Sequence, residues 1–429
     1  MKLLRAGEKG FEEYLSRIEK REREGFSRLE RTVGSILKDV RERGDRALVY
    51  YTQVFDKVRV SIRDLRVRKE EIEQSYSRVP LEFTRTLEKA ARRIRHFHRL
   101  GIKKSTSEFE KGIRLGRVFR PLERVGIYVP GGKASYPSTV LMAAIPAKVA
   151  GVREIVMATP AQKDGVSPAV VVAADLAGVD RIYRVGGAQA IGALAYGTES
   201  VPRVDKIVGP GNRYVAAAKR LVYGTVDIDM VAGPSEIVII SNEKTPPPFI
   251  AADLISQAEH DEMALAILIT TSEGYGRKVM EELKKQLNSL QRKKIAETSL
   301  SRRGAILVVK DLGRAVEVAN RIAPEHLELA LPNAVSLMKK VKHAGAVFLG
   351  PYTPEAIGDY MAGSNHILPT AGTARFSSSL GVEDFIKRTN VVSFTQGAVG
   401  RFEKDVERFS EWEGLEGHAH AVQMRMKKS

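Results

Sequence analysis

The chain has 429 residues, 43% of them hydrophobic and 28% charged, a length that at roughly 150 residues per domain accommodates two or three domains. It contains no cysteine, which excludes disulfides, cysteine-ligated zinc sites and thiol nucleophiles. The N-terminal segment lacks the apolar core of a signal peptide, and no apolar run approaches the ~20 residues of a membrane helix. We therefore expect a cytoplasmic globular protein that has no membrane partner.

The net charge of +17 is concentrated in the N-terminal part of the chain. Residues 1–120 contain 32 Lys and Arg against 19 Asp and Glu, which leaves a balance of +4 for the remainder. Charges of both signs alternate there at helical spacing, so a solvated helix face accounts for most of the excess. Residues 92–104 form the densest basic segment, but no nucleic-acid-binding signature accompanies them, and we expect no nucleic-acid partner.

The predicted elements change in character near Arg120. Residues 1–120 are predicted to form charged amphipathic helices. After that, β-rich runs such as "RVGIYVP", "EIVMATP" and "EIVIIS" alternate with Ala-rich helical segments, a pattern typical of buried parallel sheets. A Pro-rich turn within residues 241–249 separates two groups of strands. The sequence thus predicts an α/β protein with two doubly wound lobes, incomplete Rossmann-like folds, and small helical segments at both ends.

The glycine-rich segments "VPGGKASYPST", "VGGAQAIGALAYGT" and "VGPGNRYVAAAKR" each follow a strand-like run. Backbone N–H groups at such strand-to-helix turns can hold phosphates. None of the three is a complete G-x-G-x-x-G fingerprint, so the residues alone leave a nucleotide site and tight structural turns equally open.

Several polar clusters in the C-terminal half could carry chemistry. Gln257 and His260 share a helix face, although a plain helix C-terminus explains the pair as well. Asp359 lies in a Gly- and Ser-rich stretch seven residues before His366, where it could equally form a turn. Near the C-terminus lie four further candidates, namely Glu413, Glu416, His418 and His420.

A cysteine-free zinc site could be assembled from these residues. Gln257, His260, Asp359 and one of the C-terminal histidines would supply four nitrogen and oxygen ligands. The spacing is not the H-E-x-x-H of common zinc proteases.

The stretch "RIAPEHLELAL" places Glu325 beside His326 at the start of a predicted strand. Pro324 lacks an N–H and fits a position just outside a sheet ladder, so we expect both side chains on a loop. A kinase is excluded because the chain has neither H-R-D nor D-F-G, and Ser235 in "AGPSE" lacks the G-x-S-x-G elbow of a serine hydrolase.

Taken together, the segments resemble the histidinol dehydrogenase family. The similar stretches occur in family order from about Arg120 to the C-terminus, and they include "VGGAQAIGALAYGT", "KIVGPGNRYVAAAKR", "SQAEHDE", "APEHLEL", "GDYMAGSNHILPT" and "EGLEGHAHAV". Departures are small: Val231 stands where many relatives carry proline, and His420 offers a second imidazole beside His418.

The resemblance implies a zinc- and NAD-dependent enzyme that oxidises L-histidinol to L-histidine through L-histidinal at the end of histidine biosynthesis. It implies one zinc per subunit, held by Gln257, His260, Asp359 and His418, and a catalytic pair formed by Glu325 and His326. Implied NAD contacts are Tyr128, Gln189 and Asn212. Implied substrate contacts are Ser235, Gln257, His260, His326, Asp359, His366, Glu413 and His418.

The resemblance also implies a homodimer with shared active sites and a division into four parts. These are an N-terminal helical segment, 1–25, a first lobe with the metal and catalytic residues, 26–127 plus 236–380, a second lobe with the NAD contacts, 128–235, and a C-terminal helical segment, 381–429, that completes the partner subunit's site.

The residue chemistry agrees with that reaction. A neutral imidazole such as His326 suits removal of the alcohol proton near neutral pH. Oxidation of the aldehyde requires a prior nucleophilic addition, and because the chain has no thiol, water must add. Glu325 is the neighbouring group that could deprotonate this water. Zinc is expected to orient the substrate, and the alternative is that it acts as a Lewis acid on the alcohol oxygen. The alternatives are a zinc hydrolase that uses Glu325 on bound water and a non-catalytic basic protein that binds nucleic acid through residues 92–120.

Overall fold

A computed structural model describes residues 1–20, 26–131 and 135–427. The strands are β1 (Lys2–Arg5), β2 (Thr106–Glu110), β3 (Ile113–Pro121), β4 (Arg124–Tyr128), β5 (Glu154–Thr159), β6 (Arg181–Arg184), β7 (Lys206–Val208), β8 (Asp227–Ile228), β9 (Glu236–Ser241), β10 (Leu265–Thr270), β11 (Ala305–Val308), β12 (His326–Ala330), β13 (Ala346–Leu349) and β14 (Ile386–Phe394).

The helices in chain order are α1 (Lys9–Glu19), α2 (Phe26–Arg43), α3 (Asp45–Tyr51), α4 (Lys69–Ser77), α5 (Leu81–Arg99), α6 (Pro137–Ala150), α7 (Pro168–Ala177), α8 (Gly187–Tyr196), α9 (Arg213–Val222), α10 (Pro247–Ala258), α11 (Glu273–Leu287), α12 (Lys293–Arg302), α13 (Leu312–Ile322), α14 (Ala334–Met338), α15 (Glu355–Ile357), α16 (Gln396–Gly400), α17 (Glu403–Glu413) and α18 (Glu416–Met426). In the part of the chain just given, no helix is long and apolar enough to cross a membrane.

The chain divides into two compact units. The first, residues 1–101 with 122–385, contains two sheets whose strands all run parallel. One has the order β6-β5-β4-β7-β8, and the other has the order β1-β11-β10-β9-β12-β13. Without β1, both repeat the 3-2-1-4-5 order of a Rossmann half, so the predicted pair of doubly wound lobes is confirmed.

Helices cover both faces of each sheet, which explains why the strands read as continuous apolar runs. On the five-stranded sheet, one core layer involves α5, α6 and α7, and the other involves α2, α8 and α9. On the six-stranded sheet, α1 and α13 contribute to one layer, and α10, α11 and α12 contribute to the other.

The predicted lobe boundaries differ from this arrangement. Residues 26–101 pack mainly on the five-stranded sheet: Val33 and Leu37 of α2 join the core beneath α8 and α9. Of residues 236–380, the turn that includes Met361 also contacts this segment, because Nε of Arg93 on α5 donates to the carbonyl oxygen of Met361. The predicted N-terminal helical segment instead supplies an edge strand and a helix of the six-stranded sheet, and its last residues, 21–25, lie outside the described residues. Amphipathic spacing reveals which side of a helix is apolar, but it does not reveal which sheet that side covers.

The second unit comprises residues 102–121 and 386–429. A three-stranded antiparallel sheet with the order β14-β3-β2 joins its two segments, and α16, α17 and α18 follow. The predicted C-terminal segment is therefore only partly helical, because it contains the nine-residue strand β14, whose partner β3 lies in residues 113–121.

The burial of His98 on α5 can be tested through the pH dependence of the free energy of unfolding. Burial lowers the pKa of its imidazole to about 4, against a weaker opposing effect of Glu383. The unfolded chain then takes up a proton near pH 6.5 that the folded protein takes up only near pH 4. The free energy of unfolding should fall by about 2 kcal/mol between pH 7.5 and pH 5 for this reason.

We expect a His98→Leu variant to lose this part of the pH dependence, as measured by thermal or denaturant unfolding at several pH values. The matched control is His96→Leu, two residues away on the exposed side of the same helix. Equal slopes for the two variants would contradict the assignment to His98.

Candidate active site

Glu325 and His326 lie at the amino end of β12, and both side chains are buried, with 6% and 3% exposure. Glu325 precedes the strand, as the position of Pro324 predicts, whereas His326 is its first residue and pairs with Ile237 of β9 and Ala346 of β13. The expectation that both belong to a loop is therefore wrong for His326.

The backbone of one residue, Glu236, holds both side chains. The N–H of Glu236, the first residue of β9, donates to Oε2 of Glu325 at 2.8 Å. Nδ1 of His326 lies 3.0 Å from the carbonyl oxygen of the same Glu236. Because a carbonyl only accepts hydrogen bonds, Nδ1 carries the proton and Nε2 keeps its lone pair. Nε2 is buried and has no hydrogen-bond partner among the described residues.

Burial shifts the two groups in opposite directions. It lowers the pKa of His326 to about 4, although the charge of Asp359 opposes the shift. It raises the pKa of Glu325 well above the usual carboxyl range, although the bond from Glu236 opposes that shift. The imidazole is thus neutral at pH 7, because its pKa lies below the ordinary histidine value of 6.5. The carboxyl is a stronger base than that of a solvated glutamate.

Gln257 and Glu355 form the next contact. Gln257 is buried in the last turn of α10, and with its amide nitrogen turned towards Glu355 it donates to both carboxylate oxygens at 3.1 Å. This orientation leaves the amide oxygen of Gln257 available as a ligand. Glu355 also lies 3.7 Å from Nδ1 of His326.

The sequence prediction did not include Glu355. Its signal is the spacing in "PEAIGD", where Glu355 precedes Asp359 by one helical turn, so both side chains face the same side. Potential ligand atoms of His326, Glu355 and Asp359 all lie within 4.8 Å of one another. Asp359 Oδ1 is 3.9 Å from Nε2 of His326.

Two further predicted residues border this group. Nδ1 of His260 lies 3.3 Å from the carbonyl oxygen of Gln257, which leaves Nε2 for another partner. His366 has contacts at both nitrogens: Nδ1 is 3.1 Å from the carbonyl oxygen of Asp359, and Nε2 is 3.4 Å from Oγ1 of Thr139 on α6. Burial lowers the pKa of His366, and the charge of His260 adds to this effect while Asp359 opposes it.

The donor set fits a divalent metal of the zinc type. Gln257, His260 and Asp359 would contribute an amide oxygen, an imidazole nitrogen and a carboxylate oxygen, a set that suits zinc without cysteine. Glu355 accepts hydrogen bonds from the amide nitrogen of Gln257, and the carbonyl oxygen of Gln257 lies beside Nδ1 of His260. Hydrogen bonds of this kind hold metal ligands in a fixed orientation.

The remaining predicted residues of this site are distributed as follows. Ser235 is half-buried just before β9, and its carbonyl oxygen accepts from the N–H of Leu265. Glu413 and His418 belong to the second unit, at the end of α17 and on α18, and both are exposed in the single chain. His420 is likewise exposed on α18.

A chain of buried carboxyl groups extends from Glu355. Oε1 of Glu328 accepts the N–H of Glu355 at 2.7 Å, and the side chain of Glu328 is hydrogen-bonded to that of Asp253. Burial raises the pKa of Glu328 and Glu355 well above the usual range, and that of Asp253 to about 6. The site is therefore surrounded by acids that are costly to ionise.

The three predicted NAD contacts lie at the carboxyl ends of the five-stranded sheet. Tyr128 ends β4, and its hydroxyl accepts the N–H of Gly187 at 3.0 Å. Asn212 caps α9 by accepting the N–H groups of Tyr214 and Val215. Gln189 is fully buried, and neither its amide oxygen nor its nitrogen has a hydrogen-bond partner in the described ranges. Such a group fits a polar ligand that would satisfy it.

Comparisons with known proteins agree with this geometry. The family model for histidinol dehydrogenase matches residues 19–426. The chain is 54% identical over 405 residues to the histidinol dehydrogenase of Syntrophotalea carbinolica, covering 94% of this chain and 93% of that protein. It is 50% identical to that of Clostridium acetobutylicum, with 100% and 99% coverage. A crystal structure of histidinol dehydrogenase from Elizabethkingia anophelis superposes with a TM-score of 0.93 at 37% identity, covering 99% and 98% of the chains.

A Glu328→Gln substitution tests the buried acids. Gln retains an acceptor for the N–H of Glu355 and gives Asp253 a permanent donor. Because the folded-state pKa of Glu328 is raised, the carboxyl costs stability increasingly as pH rises above its unfolded value. We expect the variant to melt higher than the wild type by roughly 2 °C or more at pH 8 and by less at pH 5.

Melting curves in the presence of a chelator measure this difference. Glu281→Gln, an exposed site on α11, is the control and should change little at either pH. A lower melting temperature for Glu328→Gln at pH 8 would contradict the argument.

Proposed function

The chain belongs to the histidinol dehydrogenase family, and from this we propose that it catalyses the NAD-dependent, four-electron oxidation of L-histidinol to L-histidine through L-histidinal, the closing step of histidine biosynthesis. The supporting observation is the pair formed by Glu325 and His326, fixed by the backbone N–H and carbonyl oxygen of Glu236 beside the candidate metal ligands Gln257 and Asp359.

In the first oxidation, His326 takes the proton of the alcohol. Nε2 carries the free lone pair, and Nδ1 donates to the carbonyl oxygen of Glu236, which steadies the ring as it becomes positively charged. The carbon loses hydride, NAD is reduced to NADH, and L-histidinal forms. The carboxylate of Asp359, 3.9 Å from Nε2, favours the protonated imidazole.

In the second oxidation, water adds to the aldehyde, because a carbonyl carbon has no hydride to give until it becomes tetrahedral. Glu325 removes a proton from this water, and its raised pKa suits that task near neutral pH. The hydrate then loses hydride to a second NAD, and the acid forms. The overall balance is one histidinol, two NAD and one water giving one histidine, two NADH and three protons.

Gln257, His260 and Asp359, with His418 from the partner subunit, are the proposed holders of one zinc ion per subunit. When bound, the ion supplies a fixed point for the imidazole and amino groups of the substrate. The same four residues, with Ser235, His326, His366 and Glu413, form the proposed substrate contacts. His366 is suited to a substrate contact and not to metal ligation, because both its nitrogens already have neighbours within 3.4 Å.

NAD is the proposed cofactor of the five-stranded lobe, where Tyr128, Gln189 and Asn212 would contact it. The amide of Gln189 supports this assignment, since a buried and unpaired amide costs about 1–3 kcal/mol unless a ligand satisfies it. α9 follows β7, which lies beside β4 at the strand-order switch, a usual place for dinucleotide phosphates. The N-terminus of α8 reaches the end of β4 through the hydrogen bond from the N–H of Gly187 to the hydroxyl of Tyr128.

A homodimer with shared sites completes the proposal. Glu413 and His418 are exposed in the single chain, with Trp412 exposed by 92% beside them. Exposed aromatic residues next to candidate ligands are typical of a surface that a partner covers.

The deciding experiment is a titration of NADH formed per L-histidinol consumed. We expect a ratio of two, because both oxidations occur at one site, and no turnover without NAD. Treatment with a chelator should abolish the reaction, and added zinc should restore it. A ratio of one, or hydrolytic turnover that does not need NAD, would refute the four-electron scheme.

Substitutions in the pair should separate the two half-reactions. Glu325→Gln is expected to slow oxidation of supplied L-histidinal by about 10²–10⁴-fold while slowing L-histidinol oxidation less, since only the aldehyde needs activated water. His326→Asn should show the opposite order. Equal losses in both half-reactions for Glu325→Gln would contradict its assigned role.

Shared sites can be tested by mixing inactive subunits. After subunit exchange between His326→Asn and His418→Asn proteins, half of the dimers are mixed and one of two sites in each is intact. The mixture should therefore recover about a quarter of wild-type activity. The control pairs His326→Asn with Glu325→Gln, whose lesions lie in the same part of the site, and its activity should not rise above that of the two proteins measured separately. Failure of the first mixture to recover would exclude sharing.

A further inference from the structure

Lys219 and Asp229 form an ion pair in the interior of the five-stranded lobe. Lys219 lies on α9, Asp229 follows β8, and their side chains are only 2% and 1% exposed. Burying two charges costs several kcal/mol per ion unless further hydrogen bonds compensate. The pair is therefore expensive for the fold.

Both charges hydrogen-bond to the backbone of a single residue, Gly209. Nζ of Lys219 donates to the carbonyl oxygen of Gly209 at 3.0 Å, and the N–H of Gly209 donates to Oδ2 of Asp229 at 2.7 Å. Oδ1 of Asp229 also accepts the N–H of Met230 at 2.6 Å. The hydrogen bonds that offset the cost of burying these charges therefore hold the segment that follows β7.

Gly209 occupies a position that only glycine fits. Its φ of +112° lies in the region that favours glycine, and a Cβ atom there would meet the carbonyl oxygen of Tyr128 at 2.1 Å. It opens the Gly-Pro-Gly-Asn loop that ends at Asn212, the cap of α9. The loop therefore lies against the end of β4, and because glycine is free to adopt many other backbone conformations, the hydrogen bonds from Lys219 and to Asp229 restrict Gly209 to this one.

We infer that Lys219 and Asp229 are positioning residues for dinucleotide binding: their buried pair fixes Gly209, and through it the spacing between Tyr128 and Asn212. The inference rests on the proposed function, which assigns the cofactor contacts to those two residues. On this view neither charged side chain contacts the dinucleotide, because both form hydrogen bonds with the backbone of Gly209.

A second buried lysine on the same sheet provides the comparison. Lys206 begins β7, three residues before Gly209 and at the other end of the strand, and its side chain is 8% exposed. It pairs with Asp227 at 3.0 Å and with Asp384 at 3.6 Å. Removal of Lys206 should cost stability as removal of Lys219 does, but it should leave the glycine loop in place.

The experiment compares Lys219→Met with Lys206→Met in the full-length protein. NADH binding is measured by fluorescence titration, together with KM for NAD and for histidinol, kcat, zinc content and melting temperature. Lys219→Met should bind NADH at least about tenfold more weakly, with kcat at saturating NAD and zinc content close to wild type. Lys206→Met should bind NADH within about twofold of wild type at a similar loss of melting temperature.

The double variant Lys219→Met/Asp229→Asn protects the test against misfolding. It leaves no unpaired buried charge, and Asn still accepts the N–H of Gly209, but the donor to the carbonyl oxygen is gone. Weakened NADH binding should persist in it. Wild-type NADH affinity in a folded Lys219 variant, or equal weakening by Lys206→Met, would overturn the inference. Absence of NADH binding by the wild type would instead refute the proposed cofactor.

Discussion

The backbone of Glu236 is the constraint on which the candidate site depends. Its N–H and carbonyl oxygen fix two adjacent side chains of opposite chemistry, Glu325 and His326, without a further side chain between them. Burial then does the rest, because it keeps the imidazole neutral and makes the carboxyl more basic. A free thiol is unnecessary in such a site, since one group suits an alcohol proton and the other suits a water molecule.

The acids around this pair have an energetic consequence. Burial raises the pKa of Glu325, Glu328 and Glu355, and such groups oppose folding once they ionise. Packing alone does not call for so many carboxyl groups beside one imidazole. Their arrangement fits a divalent cation, which would offset the repulsion between the carboxylates. The carboxyl group of Glu355 would then serve to orient Gln257 as a ligand. Stability has been exchanged here for the ability to hold charge.

The sequence allowed the two parallel lobes to be predicted, because continuous apolar strands between helices have few other solutions. It also drew attention to Glu325 and His326, since no other acid and imidazole adjoin at a predicted strand. It did not show that α2 covers the five-stranded sheet, because the spacing of apolar residues identifies the buried side of a helix but not the sheet that it packs against. Glu355 and the Lys219–Asp229 pair were missed for a related reason: their partners lie at Gln257 and Gly209, distant in sequence or hidden in backbone atoms.

The Glu325–His326 pair and the proposed NAD contacts lie at opposite strand ends of the two sheets, and backbone polarity favours this arrangement. The first N–H of a strand at its amino end can donate to a carboxylate, and the N–H of Glu236 does so to Glu325. At the carboxyl ends, carbonyl oxygens would repel an acid, but the helices that follow present their N-termini, as α9 does after Gly209. The amino ends therefore suit buried catalytic acids, while the carboxyl ends suit phosphates. A hydride-transfer enzyme needs both environments, and duplication of one strand order supplies them in a single unit.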